Sequence, residues 1–75
     1  MRAYVIKEFA GGHIVGIVSS KKLAIQSAEN YVNEQPDTSL QLVWEKSEKT
    51  HGIVSRGYRQ AEYLRYNIND GLTED

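Results

Sequence analysis

The sequence has no cysteine, a single proline among 75 residues, and no long hydrophobic run. Without cysteine, the chain can be neither a disulfide-stapled secreted module nor a thiolate zinc site. Its apolar runs stay far below the roughly 20 residues that span a bilayer, so we predict no membrane-spanning helix. Lys7 and Glu8 interrupt the apolar start of the chain, and we therefore expect no signal peptide and a cytoplasmic location.

An excess of charge of either sign is also missing. There are 9 Lys and Arg against 10 Asp and Glu, a formal net charge of -1, which argues against a surface that grips a nucleic-acid backbone as a whole. The composition, 40% hydrophobic and 25% charged, is typical of a globular chain and excludes a disordered or collagen-like one. The length predicts one domain, placed at residues 1–69, followed by an acidic tail at 70–75 that we expect to fray.

Two short segments near the start of the chain, 3–9 and 13–18, are rich in residues that suit β-strands. Gly11 and Gly12 lie between them, and glycine reaches the positive φ angles of tight turns without a Cβ clash. The pattern therefore predicts a β-hairpin.

A helix is predicted to follow this hairpin. Ser19 and Ser20 offer an N-cap, and residues 21–34 have helical spacing up to the stop at Pro36. One side of this segment is apolar and must cover a neighbouring surface, for which the hairpin is available. The apolar side consists of Ala24, Ala28, Tyr31 and Val32, with Ile25 beside them.

Alternation returns in the second half of the chain, at 40–46 and more weakly at 50–55. Residues 57–68 fit either a strand or a helical face, and Tyr63 and Tyr66 favour the strand. The predicted order is β-β-α-β-β-β, an α+β fold of two layers in which one helix packs on one face of an antiparallel sheet of four to five strands.

Such a fold leaves the second face of the sheet without a helix. Apolar side chains on that face would stay partly exposed, which makes it a natural site for a partner. A chain this short buries only about 60% of the surface that it exposes when unfolded, so a second copy pairing through an edge strand would add stability. We therefore expect a protein partner and consider a homodimer.

The first half of the chain resembles a loose group of small bacterial and phage proteins of unknown function. The matching stretches are residues 3–6, which read Ala-Tyr-Val-Ile, residues 14–22 with their Ser pair and Lys pair, and residues 24–31. The chain departs from the short form of that pattern at residues 47–58. The resemblance implies a β-β-α-β fold and an accessory protein of a phage or mobile element; it transfers no site, because the group has no assigned activity.

No catalytic constellation is visible in the sequence. Cysteine is absent, the serines have turn or cap explanations, and no Gly-x-Ser-x-Gly motif occurs. His13 and His51 each start a predicted strand, and they would bind a metal only if they met across the sheet with Glu8 or Glu45. Exposed histidines at strand ends are the simpler interpretation. We expect no enzyme, no metal and no cofactor.

The start of the predicted helix is a candidate anion site. It would consist of Ser20, Lys21 and Lys22 together with free backbone N–H groups. Lysines at a helix N-terminus oppose the helix dipole, and an anion would offset this. The alternative is that solvent screens both lysines and nothing binds.

An Arg/Tyr segment spans residues 56–66 and carries three of the four arginines and three of the five tyrosines. Both residue types are enriched at binding hot spots, and tyrosine rings also stack on the bases of single strands. The alternative is that the tyrosines pack the sheet while the arginines reach to water. The candidate partner-binding residues are Arg56, Tyr58, Arg59, Tyr63, Arg65 and Tyr66.

The sequence thus favours a small non-enzymatic protein-binding module that modulates a larger host protein. Nucleic-acid binding through the Arg/Tyr segment is the alternative, although the acidic tail and the balanced charge count against it. An enzyme that uses His13 or His51 as a base is a third hypothesis.

Overall fold

Five strands and one helix make up the computed structural model, which describes residues 2–34 and 39–67. The predicted β-β-α-β-β-β order and the α+β fold class are confirmed. The predicted tail at 70–75 and the turn at Pro36 lie outside the described residues. In chain order the elements are β1 (Arg2–Glu8), β2 (Ile14–Val18), α1 (Lys21–Val32), β3 (Leu42–Ser47), β4 (His51–Arg56) and β5 (Arg59–Asn67).

The segment that fitted either a strand or a helix is strand β5. Burial alternates along its centre, where Ala61 and Tyr63 are fully buried and Glu62 between them is not. A two-residue turn joins it to β4, and Gly57 in that turn has a φ of 63°, a conformation that favours glycine. Alternating burial and a two-residue turn are features of a β-hairpin, so this segment is not helical.

All strand pairs are antiparallel, in the order β2-β1-β5-β4-β3. The last strand therefore lies in the centre and joins the two hairpins β1–β2 and β3–β4. Strands β2 and β3 form the two edges, and the ladder of each edge strand contains one irregularity.

Helix α1 covers one face of this sheet, and its residues explain its position. The hydroxyl of Ser20 accepts a hydrogen bond from the backbone N–H of Leu23 at 3.2 Å and caps the N-terminus. Ala24, Ala28 and Val32 are fully buried, and the two alanines keep the helix close to the strands. The helix packs against β1 and β2, the two strands of the predicted hairpin, and also against β5 and β4.

Three aromatic rings fill the rest of the covered face. Tyr63 on β5 makes edge-to-face contacts with Tyr4 on β1, at 6.1 Å between ring centroids, and with Trp44 on β3, at 5.9 Å. Its ring reaches across β4 because Gly52 has no side chain there. The Tyr63 hydroxyl donates to the backbone carbonyl of Glu48 and ties the β3–β4 turn to the core.

Replacing Gly52 tests this packing. A Cβ at that position would lie inside van der Waals contact with three carbons of the Tyr63 ring, so Gly52→Ala is expected to lower the free energy of unfolding by about 1–3 kcal/mol. Gly16→Ala is the matched control, because no atom lies within 4 Å of its new Cβ, and it is expected to be neutral or to stabilise by up to about 1 kcal/mol. Urea unfolding measures both, and equal effects would contradict the packing.

The Tyr63 hydroxyl gives the fold a predicted dependence on alkaline pH. Burial raises the pKa of Tyr63 above its ordinary value of 10.0. A group whose folded pKa is raised stabilises the fold fully below its unfolded pKa, and this contribution is lost as the pH rises through the folded pKa. Tyr63→Phe is therefore expected to cost about 0.5–1.5 kcal/mol at neutral pH, with a difference from the original chain that shrinks above about pH 10.

Denaturant unfolding followed by the fluorescence of Trp44 measures this difference at each pH. Tyr58→Phe is the control, because Tyr58 is 79% exposed, and it should change stability at no pH. A Tyr63→Phe difference that stays constant up to about pH 11 would show that the hydroxyl is not held neutral by burial.

Candidate functional site

The face of the sheet that points away from α1, here called the open face, has no helix over it within residues 2–34 and 39–67. Side chains alternate along a strand, so residues next to the buried Tyr4, Ile6, Ala61 and Tyr63 lie on this face. In this two-layer arrangement, the side chains on the other side of the sheet are not covered by α1.

One corner of the open face is apolar, and we call it the open-face patch. Across the strands Val5 pairs with Ile17 on one side and with Leu64 on the other, while Ala3 pairs with Tyr66. Ile17 is 65% exposed and Tyr66 is 48% exposed. The patch, which consists of Ala3, Val5, Ile17, Leu64 and Tyr66, therefore spans β2, β1 and β5 without a polar interruption.

A row with charged side chains at three of its four positions borders this patch. Lys7 pairs with Glu62, which pairs with Ile53, which in turn pairs with Lys46 on the β3 edge. Both signs of charge are present along this rim. The open face thus has an apolar corner at the β2 edge and a charged band beside it.

Two side-chain contacts on the open face are specific. The Nε2 atom of His51 lies 2.7 Å from a carboxylate oxygen of Glu62, across neighbouring strands. The carboxylate of Glu45 accepts hydrogen bonds from the hydroxyl of Ser55 at 3.2 Å and from the amide of Gln60 at 3.1 Å. These polar groups bond to one another and lie on a sheet surface.

The structure divides the six residues of the Arg/Tyr segment among three places. Tyr63 is fully buried in the core, Tyr66 belongs to the open-face patch, and Tyr58 lies in the β4–β5 turn. The three arginines are on the side that α1 covers: Arg56 pairs with Arg59, and Arg65 lies opposite Tyr4. The six side chains therefore do not form one continuous surface.

Two of these arginines make contacts that hold the end of the helix. Arg56 donates from Nε to the carbonyl of Leu40 at 2.8 Å and from Nη1 to the side chain of Asn33, the C-cap of α1, at 2.6 Å. The guanidinium of Arg59 lies over the ring of Tyr31, 4.5 Å from its centroid. Both cations therefore have structural roles within the chain.

A small pocket of about 230 Å³ opens beside the Arg59 contact. In it the Tyr31 hydroxyl donates to the Glu8 carboxylate at 2.6 Å, and this hydrogen bond, with burial and the negative charge of Glu8, raises the pKa of Tyr31. Glu8 and Glu34 together outnumber the single guanidinium of Arg59, so the charge around the pocket does not favour an anion. The lining residues are Glu8, Ala10, Tyr31, Tyr58, Arg59 and Gln60.

The two histidines lie apart in the sheet. His51 is on β4 and His13 immediately precedes β2, and strands β5 and β1 lie between them. Three strand spacings amount to about 14 Å, too far for both rings to bind one metal ion. Within residues 2–34 and 39–67, no group of three or more His, Asp or Glu side chains has the arrangement of a metal site.

The candidate anion site at the start of α1 gains no further support. The Ser20 hydroxyl is used by the cap, and Lys22 is exposed while Lys21 is half-buried. Anion binding by Ser20, Lys21 and Lys22 stays a prediction.

The sequence interpretation missed the His51–Glu62 pair and the Glu45 network. The signal that would have found them is the turn at Gly57 and Tyr58. Once a two-residue turn is placed there, Arg56 pairs with Arg59, and counting back along both strands brings Glu62 opposite Ile53 and diagonal to His51.

Helix α1 has 12 residues, and the described residues contain no helix long and apolar enough to cross a membrane. Comparison of the chain with protein-family models, with curated proteins and with solved structures finds no match.

Proposed function

We propose that the chain is a non-enzymatic protein-binding module whose open-face patch attaches to an apolar surface of a larger protein and thereby modulates it. The single observation that carries the proposal is the contiguity of the patch. Isolated exposed apolar residues are normal on protein surfaces and need no explanation. Here, in contrast, Ile17, Val5 and Leu64 are consecutive neighbours across three strands, and Tyr66 lies beside them.

The chemistry of the patch and its rim defines the partner. An apolar centre with an aromatic ring, bordered by polar residues, is the usual anatomy of a protein interface. The rim carries the cation Lys7 next to the anion Glu62. The partner is therefore expected to offer an apolar centre with charges of both signs at its border, and not a surface of one sign.

The polar groups of the same face support a binding role over a catalytic one. A general base needs a ring nitrogen directed at a substrate in a cleft. His51, which contacts Glu62, and Glu45, which contacts Ser55 and Gln60, lie on the sheet surface and do not line the pocket beside Arg59. These contacts fix side chains on the sheet surface, which suits a docking face.

Substitution of Tyr66 tests the proposal. Tyr66→Ser removes an aromatic ring from the patch and is expected to weaken binding of the partner about tenfold or more, because interface tyrosines commonly contribute over 1 kcal/mol. Tyr58→Ser is the matched control, since it makes the same change in the exposed β4–β5 turn. Proteins retained from a lysate of the source organism by the original chain are identified by mass spectrometry, and titration calorimetry then measures each purified partner against the three chains.

Loss of affinity with Tyr66→Ser and its retention with Tyr58→Ser supports the open-face patch. The opposite pattern moves the binding site to the Arg/Tyr segment at the β4–β5 turn. Equal affinity of all three chains contradicts binding through either surface.

Nucleic-acid binding stays the alternative, and it has a separate signature. Phosphate contacts by Arg56, Arg59 and Arg65 would make binding weaken steeply as salt increases. A gel-shift experiment at low salt with single-stranded DNA and RNA is expected to give no retardation, because two of these arginines already hold the helix end. Retardation that salt abolishes would favour the alternative.

A further inference from the structure

The two edges of the sheet differ in how they are protected. The β3 edge carries Glu45 and Lys46 in its centre, next to a break in its ladder. Charges and bulges on an edge strand are common devices against pairing with another chain. The β2 edge reads Ile-Val-Gly-Ile-Val and has neither charge nor proline. Ile14 and Ile17 on it are 58% and 65% exposed.

The irregularity in the β2 ladder lies toward the β1–β2 turn and leaves the rest of the strand regular. Lys7 pairs with Ile14 while Ile6 pairs with Gly16, so Val15 is the extra residue. From Gly16 to Val18 every residue has its partner on β1. This regular half is therefore the part of the edge that can accept another strand.

We propose that a second copy of the chain pairs with this edge, β2 against β2, antiparallel and with the two-fold axis at Ile17. The contact is isologous, so the two copies close on each other and form one ten-stranded sheet. Ile17 then lies opposite Ile17 of the second copy on the open face. Gly16 lies opposite Val18 of the second copy on the helix side.

Gly16, inside the regular half of β2, leaves the helix side of the edge open to a second strand. A Cβ at this position would meet no atom within 4 Å, and Gly16 does not have the positive φ of Gly12 and Gly57. A single copy of the chain therefore has no steric need for glycine here. Glycine inside a strand often marks a bulge, and Gly16 adjoins the extra residue Val15. The pairing itself uses the backbone N–H and C=O groups of the edge and tolerates either glycine or alanine at this position.

The register also explains where the apolar corner of the sheet ends. Leu64, Val5 and Ile17 form a row that stops abruptly at the unprotected edge. With Ile17 against its copy, the row continues into Val5 and Leu64 of the second copy. The pairing doubles this row of three into one apolar band of six side chains.

A shallow groove of about 550 Å³ lies at the end of β2 and fits the same arrangement. Leu23 from α1 and Ile17 from β2 flank it, and both are largely exposed. In the proposed register the first half of β2 of the second copy runs toward this groove, which brings its exposed Ile14 there. The groove is lined by Arg2, Ala3, Ile17, Val18, Ser19 and Leu23.

Light scattering coupled to size exclusion tests the pairing. The original chain is expected to have twice its monomer mass of 8.5 kDa. Ile17→Lys places two cations opposite each other and is expected to give the monomer mass with an unchanged circular dichroism spectrum, because Ile17 is exposed in the single chain. Val43→Lys is the matched control at the β3 edge, where Val43 is 47% exposed, and it should stay a dimer.

A cysteine substitution tests the register independently of the mass, because the sequence has no other thiol. Ile17→Cys is expected to form an intermolecular disulfide on mild oxidation, since residues opposite each other in an antiparallel pair have the required spacing. Val43→Cys should remain reduced. A monomeric original chain, a mass above that of a dimer, or a disulfide with Val43→Cys but not with Ile17→Cys would overturn the proposal.

The β2–β2 pairing and the binding of another protein are separate proposals, and each can be contradicted without the other. Tyr66→Ser is expected to remain a dimer in the light-scattering measurement, because Tyr66 is not on β2. Dimerisation without any partner protein would leave the pairing intact and contradict only the proposed function. Partner binding by a monomeric chain would contradict the pairing and leave the proposed function intact.

Discussion

Helix α1 has twelve residues and the sheet has five strands, so the helix is too small to cover the sheet. The rest of the structure depends on this mismatch in size. The helix is about 18 Å long and about 10 Å across, whereas five strands span about 19 Å in the pairing direction. Even the covered face therefore exceeds what α1 alone can cover. Tyr63 on β5 covers part of the remaining area. On one side its ring contacts Tyr4 on β1, and on the other it lies over Gly52 on β4 and contacts Trp44 on β3. Among the residues that the structure describes, no further element covers the open face.

The polar contacts follow from the same shortage. With only Ala24, Ala28 and Val32 fully buried, the helix gains part of its attachment from hydrogen bonds at its edges. Glu29 accepts from the indole of Trp44 at 2.8 Å, and Asn33 accepts from Arg56 at 2.6 Å. Arg56, a partner-binding candidate in the sequence, is therefore already bonded within the chain. The surface that stays available is apolar and lies on the opposite side of the sheet.

Sequence patterns predicted the elements well because each depends on neighbours in the chain: alternation for the strands, helical spacing and the Ser20 cap for α1. The site was less predictable because it depends on register. Tyr63 and Tyr66 are three residues apart in one strand, so one points into the core and the other onto the open face. The Val5–Ile17 pair lies within the predicted hairpin, but the Val5–Leu64 pair joins segments far apart in the sequence. Only the placement of β5 beside β1 brings the patch together, and composition carries no information on that.

Thiol labelling tests the one-sided covering of the sheet most directly, since the native sequence has no cysteine. Tyr66→Cys places a thiol on the open face, and Ala61→Cys places one under the helix, where Ala61 is fully buried. The thiol at position 66 is predicted to react with a maleimide as fast as in the unfolded chain. The thiol at position 61 should react only through unfolding, at a rate that rises with urea. Equal protection of both thiols in the isolated chain would contradict the account, because it would mean that both faces of the sheet are covered.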